Sequence, residues 1–174
     1  MYGNERELMY SLKKSLGNKS LLNLKFLICL KQSKKAGEVN TNMPNWVVGK
    51  LIDALNESGK SVKDSRILML GITYKKNIDD LRESPAIEMI ELLKEKGALV
   101  DYSDPFIKFI PKMRNHKLDL SCVKIDEVSI TNYDCLVLAT DHDAFDYSMI
   151  QSCAKLIIDT RGVYPDKFDN VIKA

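Results

Sequence analysis

The stretch ILMLGITYKKNIDDLRESP, residues 67–85, decides the reading of this chain. Ile67 to Leu70 are four apolar residues in succession, the mark of a short strand covered on both faces, and Gly71 ends the run where the backbone must turn tightly. At the other end, Ser84 is placed to cap a helix and Pro85 occupies its first position, where the missing N–H costs nothing. The residues between form the loop at the carboxyl end of a strand, the edge at which open α/β sheets bind ligands. Tyr74, Lys75, Lys76, Asp79, Asp80, Arg82 and Glu83 crowd into that loop. Charge density alone fits a solvated surface loop equally well.

Downstream, apolar runs alternate with helical periodicity. The spacing predicts a helix over Pro85–Lys96 with Ile87, Met89, Ile90 and Leu93 inward and Gly97 after its end, then a strand over Leu99–Tyr102 closed by Asp104-Pro105. An irregular basic stretch follows. Further strands are expected near Ser121–Ile125, over Cys135–Thr140 and over Leu156–Asp159, with a helix over Phe145–Ala154 capped by Asp141 or Asp143. Strands alternating with helices predict an α/β fold, a Rossmann-like, doubly wound, mostly parallel sheet, in a domain spanning residues 61–174.

Upstream, residues 37–60 carry Val47, Val48, Leu51, Ile52 and Leu55 at helical spacing, between the candidate cap Asn42 with Pro44 behind it and the terminator Gly59. Residues 1–36 read as a separate helical segment of amphipathic pattern, broken near Gly17-Asn18.

Composition narrows the function. A net charge of +2 gives no case for nucleic acid or an anionic membrane, so any anion site must come from local placement of Lys and Arg. No run approaches the roughly 20 apolar residues of a membrane span, and the N-terminus lacks the apolar core of a signal peptide, so cytoplasm is the expected location. Cys29, Cys122, Cys135 and Cys153 show no C-x-x-C spacing, and the two histidines do not pair with them; neither a zinc site nor a disulfide framework is expected. His142 has no second histidine near it in sequence and reads as structural or peripheral, on the rim formed by TDHDAFDY at residues 140–147. No G-x-G-x-x-G occurs, so the fingerprint that seats a dinucleotide pyrophosphate is absent.

The loop pattern G-x-x-Y-K-x-x-x-D-D-x-R-E-S-P, from Gly71 to Pro85, resembles the signature in the C-terminal domain of the UDP-glucose/GDP-mannose dehydrogenase family, the NAD-dependent nucleotide-sugar 6-dehydrogenases. The resemblance covers about residues 35–164, and TDHDAFDY and IIDTRGVY lean toward the branch acting on UDP-N-acetyl-hexosamines. It implies that Tyr74 and Lys75 contact a UDP-sugar, that Arg161 in the D-x-R of LIIDTRG binds the UDP, and that Arg82 reaches NAD held on a neighbouring domain. Two cations at strand ends suit a diphosphate, and Arg suits a bidentate task better than Lys. The alternative for Arg82 is a pair with Asp79 or Asp80.

By the same resemblance, residues 37–60 match the helix that joins domains and makes dimer contacts, so a homodimer or pairing with separate catalytic domains is expected; the alternative is a helix packed on its own domain. Full-length members oxidise a sugar C6 alcohol to a carboxylate with NAD and a catalytic cysteine flanked by glycine, proline and aspartate. Cys29 sits among Phe26, Leu27, Ile28 and Leu30 and does not match that motif. With the NAD domain and the cysteine motif lacking, the chain alone is not expected to catalyse the oxidation, and no catalytic residue is assigned. Two readings stand: the UDP-sugar-binding part of such a dehydrogenase, or a stand-alone nucleotide-binding or regulatory module. A receiver-like α/β protein fits less well, since its first strand would end in acids and this one ends in Gly71 and cations.

Overall fold

The computed structural model describes residues 42–111 and 118–174; the expected segment at residues 1–36, Cys29 with it, lies outside them. Five strands form one sheet in the order β2-β1-β3-β4-β5, every pair parallel: β1 is Arg66–Leu70, β2 Leu99–Ser103, β3 Cys135–Leu138, β4 Ile157–Asp159 and β5 Val171–Lys173. This is the doubly wound α/β sheet the sequence predicts.

Successive strand side chains face opposite sides, and here both sides are covered. Ile67 and Met69 of β1 join Val100, Tyr102, Val137 and Ile158 in one core, whereas Leu68 and Leu70 join Leu136, Leu138 and Ile157 in the other. The first core is roofed by helix α1, helical at residues 42–57, and by α2, Pro85–Glu95. Val47, Val48, Leu51, Ala54 and Leu55 are buried in it, so α1 packs on its own domain, while Trp46 on the same helix stays 56% exposed. Asn42 is already helical rather than a cap. Helices α3, Glu127–Thr131, and α4, Tyr147–Cys153, cover the second core.

Ser84 caps α2 as expected, its hydroxyl accepting from the Ala86 N–H, and Gly97 follows the helix at φ 85°. Two further expectations are corrected. Residues 121–125 do not form a strand; only single bridges, Tyr102 with Cys122 and Phe109 with Ser121, occur there. The sheet instead gains β5, and α3 precedes β3, held by a box in which Asp126 and Ser129 cap each other's backbone. Asp146, and neither Asp141 nor Asp143, caps α4.

Candidate functional site

The chain leaves β1 for β2 on one side and leaves β3 for β4 on the other, so the carboxyl ends of β1 and β3 form the switch point of the sheet. Four loops meet along this edge, following β1, β2, β3 and β4.

Gly71 sets the first loop. It lies at φ 72°, and a Cβ there would fall 2.3 Å from the Thr140 carbonyl oxygen, so only glycine lets this loop lie against the one after β3. Thr140 Oγ1 donates to the Thr73 carbonyl at 2.6 Å, and the Tyr74 N–H closes the loop on the Asp80 carbonyl at 2.7 Å. Asn77, at φ 59°, staples the tip across: its Nδ2 donates to Asp143 Oδ2 at 2.6 Å and its Oδ1 accepts from the Asp143 N–H at 3.1 Å.

Two buried carboxylates frame the site. Asp104, at the end of β2, takes N–H bonds from Ile72 at 2.7 Å and from Phe106 and Ile107 at 2.8 and 3.2 Å, and a further bond from His142 at 3.1 Å. Burial works against its charge, yet these bonds hold its pKa below the ordinary carboxylate value. Asp159, at the end of β4, accepts N–H bonds from Arg161 and Gly162 at 2.9 and 2.8 Å and from Tyr164 at 3.1 Å, shaping the turn that presents Arg161. Rings knit the loops further: Phe106, His142, Phe145, Tyr147 and Tyr164 follow one another at centroid distances of 5.1 to 6.3 Å.

The structure brings Tyr74, Lys75 and Arg161 to this edge. Tyr74 is 45% exposed, and the Lys75 ammonium stands 5.5 Å from its ring centroid. Arg161 Nε lies 3.9 Å from Asp141 Oδ1, Lys76 pairs with Asp143 at 2.5 Å, and Arg82 grips Asp80 through Nε at 3.0 Å and Nη2 at 2.9 Å. The Arg82 hydrogen bonds hold the Asp80 carboxyl at a pKa of about 2. Lys76, through its hydrogen bond ahead of Asn77's, likewise lowers Asp143. His142 is fully buried beneath the rim rather than on it. Asp104 and Asp159 were missed as site residues because an acid that ends a strand looks the same in sequence whether it is buried or solvated; the recurrence of Asp just after strands is the signal that could have found them.

The residues do not fit a dinucleotide cofactor's pyrophosphate. The one glycine of the turn is used against Thr140, and the first amides of α2 are taken up by the Ser84 cap and Pro85. Cys135 begins β3 at the opposite end of the sheet, and burial pushes its thiol far up from its ordinary value. Among the described residues no group of three or more His, Cys, Asp or Glu is placed to hold a metal, and no helix is long and apolar enough to cross a membrane. A hollow of about 540 Å³ lies beside the edge, between Lys108, Cys122, Lys124, Phe145 and Met149; none of Tyr74, Lys75, Arg82 or Arg161 lines it. Tyr74, Lys75, Arg82 and Arg161 thus lie outside that hollow.

Residues 68–166 match the model of the UDP-glucose/GDP-mannose dehydrogenase family, UDP binding domain. A UDP-N-acetyl-D-mannosamine dehydrogenase of Methanococcus maripaludis is 37% identical over 112 residues, 64% of this chain and 24% of that relative. An NDP-N-acetyl-D-galactosaminuronic acid dehydrogenase of Ralstonia nicotianae is 33% identical over 138 residues, 77% of this chain and 30% of that relative. Among solved structures, the UDP-D-ManNAc dehydrogenase from Pyrococcus horikoshii superposes with a TM-score of 0.62 at 25% identity, over 78% of this chain and 31% of that one. The chain thus spans about a quarter to a third of the length of these relatives.

Proposed function

The chain belongs to the UDP-glucose/GDP-mannose dehydrogenase family, and on that premise we propose that its sheet edge binds the UDP of a UDP-sugar through Lys75 and Arg161, with Tyr74 beside the nucleotide. The observation that carries this reading is the placement of those cations. Lys75 follows β1 and Arg161 follows β4, on either side of β3 at the switch point, and each turn is locked by a buried carboxylate, Asp104 or Asp159. A diphosphate lying along β3 would find one cation at each end, and such charge-assisted contacts need no metal. The names of the relatives favour a UDP-N-acetyl-hexosamine as the sugar nucleotide.

In this reading the chain supplies the nucleotide-binding part of a sugar C6 oxidation. NAD, which would supply the hydride acceptor, is held elsewhere, and so is the nucleophile. Arg82 is 89% exposed and binds Asp80 through Nε and Nη2, which leaves Nη1 as the atom able to face a cofactor on an adjoining domain. The 61–174 domain works as this module, joined through the segment 37–60, which contains α1, to a second copy or to catalytic domains.

A thermal-shift titration with UDP tests the proposal, with NAD as control and Arg161→Ala as variant. Ligand at about 100 times its dissociation constant adds roughly 2.7 kcal/mol, a shift of several degrees for a domain of this size. Stabilisation by UDP and not by NAD, lost in Arg161→Ala, is expected; no shift with UDP overturns the reading.

A further inference from the structure

His142 is the group that the nucleotide reading leaves without a task. It is fully buried, and its bonds span three loops. Nδ1 lies 3.0 Å from the Asn77 amide nitrogen and accepts that N–H. An amide has no lone pair to give, so Nδ1 carries no proton and the ring is the Nε2–H tautomer. Nε2 then faces two acceptors, Asp104 Oδ2 at 3.1 Å and Thr73 Oγ1 at 3.0 Å. The Thr73 hydroxyl can accept because its own proton goes to the Lys75 carbonyl at 2.9 Å. One imidazole thereby fixes the backbone on both sides of Lys75, through Thr73 and through Asn77.

We propose that neutral His142 is the positioning residue for the nucleotide site, holding the Lys75 loop in its binding shape, and that a second proton on the ring releases the loop and weakens UDP-sugar binding. The inference rests on the reading above. A proton on Nδ1 would confront the Asn77 N–H, donor against donor, on a ring that is fully buried. Asn77 is in the left-handed region at φ 59°, which asparagine tolerates better than most residues and which the bonds to His142 and Asp143 hold in place. The other groups that face the ring are already engaged. Asp104 attracts it but already accepts three backbone N–H bonds. Asp143 is engaged by Lys76 and Asn77, the Tyr147 hydroxyl donates to the His142 carbonyl rather than to the ring, and Phe106 and Phe145 pack its faces.

The test follows the ring nitrogens of His142 and the Asn77 amide by ¹⁵N NMR on the full chain from about pH 8 to about pH 5, in parallel with binding of UDP-N-acetylglucosamine, whose diphosphodiester charge is constant over that range. Expected are an Nε2–H ring at the upper end, an Asn77 amide that shifts with the His142 midpoint, and affinity about tenfold weaker below it. His142→Asn puts an oxygen acceptor near the Nδ1 position, loses the Nε2 donor to Asp104 and Thr73, and cannot titrate; the affinity it retains should no longer change with pH. An Nδ1–H tautomer, an Asn77 amide indifferent to the titration, a ring neutral down to the lower limit with affinity unchanged, or a pH fall retained in His142→Asn overturns the inference. If the amide follows the ring while the sugar nucleotide binds at no pH, the nucleotide reading has failed, and the proposed role with it.

Discussion

Replacing Gly71 with alanine probes the joint on which the site is built. A Cβ at φ 72° pays the left-handed penalty of about 1–2 kcal/mol, and here it would also stand 2.3 Å from Thr140 O, 2.7 Å from Thr140 Cβ and 2.9 Å from the Thr140 carbonyl carbon. Those atoms are backbone or bound to it, so relief requires the loops after β1 and β3 to move apart, an overpacking cost of about 1–3 kcal/mol. The sum is about 3 kcal/mol, or roughly 9 °C of Tm for a chain of this length. Gly59→Ala isolates the backbone part: Gly59 has φ 71° yet nothing within 4 Å of its would-be Cβ, so it should lose only about 1 kcal/mol. Urea unfolding of both variants measures the difference. Equal losses would refute the close approach of the two loops, and with it the shape of the site; a larger loss in Gly71→Ala together with weakened UDP binding is the expected result.

Asp141→Asn removes the carboxylate that faces Arg161 and should tighten UDP binding several-fold in a fluorescence or calorimetric titration. Asp159→Ala strands the N–H groups of Arg161, Gly162 and Tyr164 and should cost about 3 kcal/mol in urea unfolding while weakening UDP binding. Tyr102→Phe deletes a buried hydroxyl that has no partner among the described residues and should leave stability equal or raise it by about 1 kcal/mol by the same assay. Asp104 has a folded pKa below its ordinary value of 3.8, so its contribution is fully present above that value and is lost as the pH falls from there through the depressed one; Asp104→Asn should flatten the acid limb of stability against pH in that window.

The sheet was legible because its strands bury both faces and so appear as unbroken apolar runs; Ile67–Leu70, Cys135–Leu138 and Leu156–Ile158 could hardly be read otherwise. β5 escaped notice because Val171, Ile172 and Lys173 form three half-buried or exposed residues at an edge, too few to show a period. The run at 121–125 misled for the converse reason: Val123 and Ile125 pack against the second core from a segment that pairs with β2 only at Cys122. α3 begins on Asp126 and Ser129, a box without the usual Glu or Gln at its third position. The cations of the site announced themselves by charge. His142 did not, since its role depends on Thr73 and Asn77, residues some 65 positions away that only the crossing of β1 and β3 brings to it.

The cations differ in how firmly the protein already holds them, and that difference decides which can serve a ligand. Arg82 and Asp80 share two side-chain hydrogen bonds, and the carboxyl is drawn down to a pKa of about 2, so exchanging Asp80 for a phosphate gains little. Arg161 and Asp141 meet only at 3.9 Å with side chains 37% and 35% exposed, a pair of the kind that contributes little in water. Lys75 has its ammonium against the Tyr74 ring. A diphosphate offers both of these groups shorter, doubly charged contacts in place of weak ones, whereas at Arg82 it would have to break a good fork to form another. On the proposed reading the phosphates therefore go to the cations the protein holds least firmly, Lys75 after β1 and Arg161 after β4, while Arg82 stays with Asp80.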